Sequence, residues 1–166
     1  MAQPDRLYGI ARVVLDTVAA GLNAAGGSHV APSRQYVADG NMVAWDCEQL
    51  VVAVDSTQNH AGNAAVESVD LAFAMAARSA TLGVWLVRCC PTVEDDGEPP
   101  AAAEIEASAQ TVLADPMIML DCLWRAHTAG NLGTCKGLAF QRWQSLGPMG
   151  GLTGGVLRLN IDLTSV

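Results

Sequence analysis

Charged and aromatic side chains are scarce in this sequence. Of its 166 residues only 16% are charged and 5% are aromatic, whereas 51% are hydrophobic. The charge that is present is acidic, with a formal net charge of −8 and a pI near 4.6. A surface that binds phosphates needs clustered Lys and Arg, so this composition argues against a nucleic-acid-binding protein. Because a soluble monomer normally carries more charge, we also expect other subunits to cover part of the surface.

Long uncharged hydrophobic runs are also missing. Charged residues such as Asp5 and Arg12 interrupt the apolar N-terminal segment, so it lacks the hydrophobic core of a signal peptide. Arg78 likewise divides the longest apolar stretch, residues 71–87, which falls short of the ~18–20 uncharged residues that span a bilayer. We expect a single domain over residues 1–166 that has no membrane span and stays in the cytoplasm where it is made.

The cysteines follow no metal-binding or redox spacing. They are five in number and none belongs to a Cys-x-x-Cys motif, so we expect neither a disulfide framework nor a structural zinc site. Cys89 and Cys90 adjoin on a predicted strand, where neighbouring side chains point to opposite faces and cannot share one metal ion. The favoured interpretation is small buried hydrophobic residues, with no catalytic residue, metal ligand or cofactor. A Cys–His nucleophile pair assembled by the fold is the alternative.

Two segments have the periodicity of amphipathic helices. Between Pro4 and Gly26 the apolar residues recur at steps of three and four, namely Leu7, Ile10, Ala11, Val14, Val18 and Leu22. A second helix is predicted from Pro100 onward. Within it, Asp115-Pro116 has the character of a cap and a first turn, so the helix should kink or restart there.

The other apolar segments are typical of strands. Asp39-Gly40 favours a tight turn, which predicts a small hairpin over residues 34–45. Within residues 47–56, the run from Leu50 to Val54 is apolar without alternation, as in a strand that is covered on both faces and lies centrally in a sheet. A polar loop and two further strands are then expected, at residues 56–65, 66–75 and 81–90.

The C-terminal segment predicts two strands joined by a glycine-rich turn. No helix and no Gly-Lys-Ser/Thr follows the glycines of residues 147–155, which favours a hairpin tip over a phosphate-binding loop. The order helix, strands, helix, strands predicts an α+β fold, with a single mixed or antiparallel β-sheet packed against two helices and with a β-hairpin. The last strand should alternate, with one face formed by Leu157, Leu159, Ile161 and Leu163 and the other by Arg158, Asn160 and Asp162.

Three features, in this order along the chain, resemble the tail terminator proteins of long-tailed phages. They are the run VRCCPTVEDDGEPPAAAEIEASA, the proline-interrupted helix at LADPMIML, and the terminal LGPMGGLTGGVLRLNIDL. The resemblance is strongest to the terminators of phages that infect actinobacteria. It extends from Val87 to the C-terminus, is looser over Leu7–Asn23 and Trp45–Val54, and does not hold over Ala61–Thr81.

This resemblance implies a structural protein and not an enzyme. A tail terminator, also called a tail-completion or head-to-tail joining protein, forms a ring, expected to be a hexamer, on the head-proximal end of the tail tube. The ring ends tube polymerisation and joins the tail to the head connector. The implied partners are further copies of the chain, the tail tube protein and a head-completion or stopper protein. DNA would pass through without specific binding, at the head–tail junction of a virion assembled in the host cytoplasm.

Two other functions are alternatives to a tail terminator. The first is a head-completion or stopper protein, which would bind the portal and not the tail tube. The second is a small Cys-dependent enzyme, which would need a pocket that brings one cysteine and one histidine within hydrogen-bond distance.

Under the terminator interpretation, two sets of residues are candidates for contacts within the ring. The helices should cover one face of the sheet and leave the other, with its polar residues, for the lumen or for neighbouring subunits. Arg and Trp are also favoured at interfaces. A C-terminal strand left at a sheet edge would need a covering subunit. The candidate interface or lumen residues are Arg142, Trp143, Gly150, Gly151, Arg158, Asn160 and Asp162, and the alternative acidic lining of the lumen is Glu94, Asp95, Asp96 and Glu98.

Overall fold

The residues that the structure describes form one mixed β-sheet and two α-helices. The computed structural model describes residues 4–40, 46–59, 78–93 and 97–163. In these residues the five strands lie in the order β1-β2-β3-β5-β4, with β1 parallel to β2 and every other neighbouring pair antiparallel. The predicted α+β fold is confirmed. The elements are α1 (Pro4–Ala25), β1 (Arg34–Asp39), β2 (Gln49–Asn59), β3 (Arg78–Cys89), α2 (Ala102–Thr128), β4 (Cys135–Met149) and β5 (Leu152–Leu163).

Both helices pack on the same face of the sheet. Helix α1 lies over β1, β2 and β3, and α2 lies beside it over β5 and β4. The predicted alternation of β5 is confirmed, because its odd-numbered leucine and isoleucine residues all point into the helix-covered core. Packing of this apolar surface is the main stabilising contribution to the fold. The fully buried members with the largest side chains include Leu15, Leu22, Leu50, Leu82, Leu86, Met119, Leu123, Leu157, Leu159 and Ile161.

Helix α2 continues through its internal proline. The prediction of a restart at Pro116 is wrong, and Asp115 is not an N-terminal cap but a buried residue within the helix. Pro116 removes one backbone hydrogen bond of the helix. The burial of Pro116 together with Met119 and Leu123 against the sheet outweighs that loss, as tertiary packing commonly does for helices.

Strand β2 differs from its prediction in length. It is flanked by β1 and β3 and its residues Leu50–Ala53 are buried, so the predicted central position is confirmed. The predicted loop at residues 56–65 is wrong at its start, because Ser56 to Asn59 continue β2 and pair with β3. The register shifts at Asp55, which is the extra residue of a β-bulge. The residues predicted as a strand at 66–75 lie outside the described residues.

The two predicted turns have different outcomes. β1 pairs in parallel with β2, and the second half of the hairpin predicted over residues 34–45 lies outside the described residues. The C-terminal hairpin is confirmed: Gly150 and Gly151 join β4 to β5 with φ of 56° and 83°. Positive φ at both central residues is what a two-residue hairpin turn of type I′ requires.

The position of β5 excludes the possibility that the C-terminal strand is a sheet edge in need of a covering subunit. This C-terminal strand pairs with β3 on one side and β4 on the other, so it is interior and not a sheet edge. The edge on that side is β4, a strand of 15 residues. Strand β3 ends at Cys89, so Cys90 lies just beyond it.

Candidate functional site

The polar residues of β5 lie on the sheet face that the helices leave uncovered. Arg158 forms an ion pair through Nη1 with Oδ2 of Asp55. Asp55 continues the alternation of Val51 and Ala53, which face this side of the sheet, so its carboxylate lies on the same face as Arg158. The side chains of Asp55 and Arg158 are only 8% and 23% exposed. On this part of the face, the charge of Arg158 is therefore held in a shielded ion pair and is not exposed as an unpaired cation.

Shielding changes the acidity of Asp55. Loss of hydration raises the pKa of its carboxyl above the ordinary value of 3.8, although the charge of Arg158 and its hydrogen bond act in the opposite direction. Within the described part of the chain, Oδ1 of Asp55 and Nε of Arg158 have no hydrogen-bond partner. The pair thus makes less than the full bidentate contact that an arginine and a carboxylate can form.

The next two residues of this polar row differ in their surroundings. The amide oxygen of Asn160 accepts hydrogen bonds from Thr81 Oγ1 at 2.8 Å and from Gln141 Nε2 at 3.0 Å. Asp162 is exposed at the end of β5. Arg158, Asn160 and Asp162 therefore share one face as predicted, but the first two are held by neighbouring strands and the third faces solvent.

The other predicted interface residues do not form one patch. Arg142 is exposed on β4, where it pairs in register with Arg158. Trp143 is half-buried and packs against the helix-covered core, so much of its ring already has contacts within this chain. Gly150 and Gly151 form the hairpin tip, where the Gly151 carbonyl accepts the N–H of Cys90 at 2.8 Å.

The predicted acidic lining can be located only at its end. Glu98 is exposed in the segment that leads into α2. Glu94, Asp95 and Asp96 lie outside the described residues.

Helix α2 exposes an apolar stripe that the sequence pattern did not single out. Leu113, Met117 and Trp124 are 70%, 66% and 54% exposed. Their spacing of four and seven residues places them on one side of the helix. The side of α2 that faces α1 is marked by Cys122, which touches Gly21. Cys122 lies nine residues after Leu113, which places it about 180° around the helix from Leu113. The stripe therefore points away from α1.

The edge of the sheet lies on the same side as this stripe. Because α1 covers β1 and β2 while α2 covers β5 and β4, the direction away from α1 leads to the outer edge of β4. We call this surface the α2–β4 flank, defined by Leu113, Met117, Trp124 and the outer edge of β4. The pairing of β4 with β5 shifts register in three places. Such irregularities protect an edge from added strands, so the flank is better suited to side-chain packing than to sheet extension.

An ion-pair network holds α2 to the end of β3. Arg88 donates from Nε to Oδ2 of Asp115 at 2.7 Å and from Nη2 to Oδ1 at 3.2 Å. Two further donors reach the backbone oxygens of Val30 and His29, and His29 Nδ1 lies 2.9 Å from Asp115 Oδ1. The side chains of Arg88 and Asp115 are 7% and 2% exposed. A buried arginine needs such partners, so this network positions α2 and residues 29–30.

The alternation of β3 contained a signal for this network. Leu82, Val84 and Leu86 point into the helix-covered core, and Arg88 follows them at the same spacing of two. A charge at a core-facing position requires a partner, and Asp115 in the facing helix is that partner.

An open cleft of about 570 Å³ adjoins Arg88. It lies between residues 27–33, the end of β3 and the first half of α2. Its polar groups are largely committed to the fold: Thr111 Oγ1 donates to Ser28 Oγ at 3.0 Å, and Arg88 is hydrogen-bonded as described above. The cleft therefore offers no clear chemistry for a substrate.

The prediction that the cysteines are buried is wrong, because Cys89 is exposed and the other four are half-buried. In the described residues the thiols of Cys122 and Cys135 donate to backbone oxygens, and His29 contacts Asp115. Burial raises the pKa of Cys122 to about 11 and also raises that of Cys135. Thiols with raised pKa values are weak nucleophiles near neutral pH. No group of three His, Cys, Asp or Glu residues in the described ranges could hold a metal ion.

Comparison with known proteins gives no relative from which to transfer a function. No family model matches the sequence, and no curated protein matches it. Neither α1 nor α2, in the part of the chain that the structure describes, is long and apolar enough to cross a membrane.

Proposed function

We propose that this protein is a structural phage protein, a tail terminator that forms a ring on the head-proximal end of the tail tube. The ring ends tube polymerisation and joins the tail to the head connector. The observation that carries this proposal is the α2–β4 flank, because it is an apolar surface for which the described part of the chain provides no cover. Such surfaces in soluble proteins mark contacts with other proteins.

The geometry of the flank favours a ring over a two-fold dimer. The opposite side of the domain is formed by α1, where Tyr8 is 58% exposed. Tyr8 lies about 140° around α1 from Gly21, which touches α2. The two sides therefore differ in composition, and the exposed Arg12–Asp16 ion pair lies on α1 as well. Contact between unlike surfaces is heterologous, and a heterologous contact closes into a ring when its rotation allows.

The energetics of the stripe are compatible with assembly. Burying one large apolar side chain contributes roughly 1.5–3 kcal/mol. Three partly exposed side chains can therefore supply several kcal/mol per contact, a substantial part of what association costs in translational and rotational freedom. A closed ring adds a second such contact for every subunit, which favours the complete assembly over a pair.

Passage of DNA is compatible with the polar residues that β5 carries on the helix-free face. Part of that face is a buried apolar cluster of Val51, Ala53, Trp85 and Val156, so if the flanks join neighbouring subunits, the part available to line a lumen is the part near Arg158, Asn160 and Asp162. There the charge of Arg158 is paired with Asp55, and Asp162 is exposed. The net charge of −8 for each chain opposes tight binding of DNA phosphates, although Arg142 is exposed on β4 opposite Arg158. The acidic segment Glu94–Glu98 is the alternative lining.

Two measurements test the proposal together. Purified protein is imaged by negative-stain electron microscopy, alone and with a phage tail tube protein, and its mass is measured by light scattering. We expect a ring of defined mass that caps one end of the tubes and limits their growth. A strict monomer in both conditions would overturn the proposal. Rings that bind a portal assembly and ignore tubes would instead identify a head-completion or stopper protein.

A charge-insertion variant locates the contact. Leu113→Glu combined with Met117→Glu puts two carboxylates into the stripe and should abolish rings at concentrations where the wild type assembles, because the carboxylates would be desolvated in the interface. Ala103→Glu combined with Ala107→Glu is the matched control, since it adds the same two carboxylates at exposed positions about 80° and 120° around the helix from Leu113. Circular dichroism should show the same helix content in all three proteins. Intact rings in the variant with Leu113→Glu and Met117→Glu would exclude the stripe as the contact.

The Cys-dependent enzyme is a weaker candidate. The raised pKa values of Cys122 and Cys135 leave little thiolate at neutral pH, which is unfavourable for nucleophilic catalysis. Four of the five N–H donors of Arg88 in the cleft are likewise hydrogen-bonded within the chain, and its Nη1 also lies 3.7 Å from Oε2 of Glu48.

A further inference from the structure

Two cysteines far apart in the chain meet at one end of the sheet. Pairing of β2 with β3 ends at Gln49 and Val87. Cys47 lies two residues before Gln49, and Cys89 lies two residues after Val87, so both are just beyond that last pair. Sγ of Cys47 lies 3.8 Å from the Gly151 carbonyl oxygen, and Gly151 precedes Leu152, the partner of Cys89 in β5, so the two cysteines share this end of the sheet. Both are free in this structure, and Cys89 is exposed, so reagents in solution can reach it.

Backbone contacts hold the two cysteines in this arrangement. The N–H of Cys89 donates to Oε1 of Glu48 at 3.1 Å. The Gly151 carbonyl accepts the N–H of Cys90 at 2.8 Å and lies 3.8 Å from Sγ of Cys47. Glu48 has a φ of 54°, a left-handed conformation that is uncommon for a residue other than glycine. Such a conformation persists only when surrounding contacts fix it, and it turns the chain between Cys47 and β2.

We propose that Cys47 and Cys89 are a modification site, a thiol pair that a small-molecule disulfide oxidises to an intramolecular disulfide bond. This inference does not depend on the proposed function. The two cysteines lie at the same end of two paired strands, so bond formation needs local adjustment at these strand ends and not a rearrangement of the sheet. The bond would connect the segment before β2 to the end of β3, and it would adjoin the cleft, which Glu48 and Cys89 line.

The chemistry balances with glutathione disulfide as the oxidant. One protein thiol, after losing its proton, attacks glutathione disulfide, forms a mixed disulfide and releases one glutathione. The second protein thiol, also deprotonated, displaces the second glutathione and closes the bond between Sγ of Cys47 and Sγ of Cys89. Two protein thiols are oxidised, one glutathione disulfide is reduced to two glutathione molecules, and the two protons end on the released thiols.

The pair should be slow to react at neutral pH. Partial loss of hydration, the hydrogen bond to Cys47, and the negative charges of Glu48 and Asp46 raise the pKa of Cys89 to about 12. The guanidinium of Arg88 lies nearby in the chain but is already paired with Asp115. Since the thiolate is the attacking species, oxidation should accelerate as the pH rises from neutral to alkaline.

The test counts free thiols after oxidation of the full chain. Reduced protein is incubated with glutathione disulfide at mildly alkaline pH, denatured, alkylated and weighed by intact mass spectrometry. Of the five cysteines in the wild type, three should remain open to alkylation. Cys47→Ser and Cys89→Ser should each keep all of their remaining thiols. Cys90→Ser is the matched control beside the site and should still lose two thiols on oxidation.

Thermal unfolding shows whether the bond forms in the folded protein. A disulfide that fits the native structure should raise the Tm of the wild type and of Cys90→Ser by roughly 5–10 °C relative to the reduced proteins. Cys47→Ser and Cys89→Ser should show no such rise, while their reduced forms keep the circular dichroism spectrum of the wild type. Disulfide-linked dimers, a bond that persists in Cys89→Ser through Cys90, or no loss of thiols in the wild type would each overturn the proposal.

Discussion

Helices α1 and α2 pack on the same face of the sheet but differ in what they expose to solvent. In α1 the apolar residues that follow the helical period, such as Val14, Leu15 and Leu22, are fully buried. In α2 the core contacts come from Met119 and Leu123, while Leu113, Met117 and Trp124 remain more than half exposed. The sheet therefore accounts for the apolar surface of α1, but it accounts for only part of that of α2.

The two helices also differ in how they are anchored. Apolar packing holds α1 over β1 and β2, whereas α2 is additionally tied to β3 by the Arg88–Asp115 pair. Buried ion pairs add little net stability compared with apolar residues, but they fix position, because a displaced partner leaves a buried charge unpaired. An element that presents an interaction surface benefits from a fixed position, and α2 carries the stripe that we propose as the subunit contact.

Removal of Arg88 should have the largest effect on folding. Arg88→Met leaves Asp115 buried and without its cation, so the free energy of unfolding should fall by about 3–5 kcal/mol, measured by urea denaturation. The double variant Arg88→Met with Asp115→Leu removes both charges and should recover most of the loss. If Arg88→Met alone cost less than about 1 kcal/mol, α2 would not be anchored by this pair.

A matched pair of Leu→Ala variants tests the contrast between the two helices directly. Leu15→Ala creates a cavity beneath α1 and should lower the free energy of unfolding by about 2–5 kcal/mol. Leu113→Ala should change the free energy of unfolding of the monomer by less than about 0.5 kcal/mol, because the side chain is 70% exposed. Light scattering should nevertheless show weaker self-association for Leu113→Ala. Equal losses of stability in the two variants would show that Leu113 is part of the core.

Helix α1 could be predicted from the sequence because its signals are local. The apolar period and the flanking Pro4 and Gly26-Gly27 all lie within one segment, and the structure needs only a sheet beneath it. Asp115-Pro116 shows the limit of such signals. An aspartate before a proline has the same local pattern whether it caps a new helix or binds a buried arginine, and here Arg88 in a distant strand decides between the two.

Strand order and exposure depend on long-range pairing that the local pattern does not contain. The alternation of β5 was predictable, but its interior position depends on β4 pairing along its far side. For the same reason the partner of Arg158 was not predictable, because Asp55 and Arg158 lie on β2 and β5, and only the strand order brings these two strands to either side of β3. Trp143 likewise has the composition of an interface residue, yet it packs on the core of its own chain.

The smallest expected effect concerns the pH dependence of the helix-free face. Burial raises the pKa of Asp55 in the folded protein above its ordinary value of 3.8, so the folded state binds a proton that the unfolded state has already released. The resulting stabilisation is complete below the unfolded pKa and is lost as the pH rises through the raised folded pKa.

Asp55→Asn removes this titration and leaves a side chain of similar shape. As the pH falls from neutral toward about 3.8, the urea midpoint of the wild type should therefore rise relative to that of Asp55→Asn, by less than the change caused by Leu15→Ala. Comparing the two proteins at each pH cancels the titration of the other acidic groups, which both share. A wild type that loses stability relative to Asp55→Asn as the pH falls would mean that attraction to Arg158 exceeds the desolvation of Asp55. In that case the helix-free face would present a tight ion pair whose carboxylate has a lowered pKa.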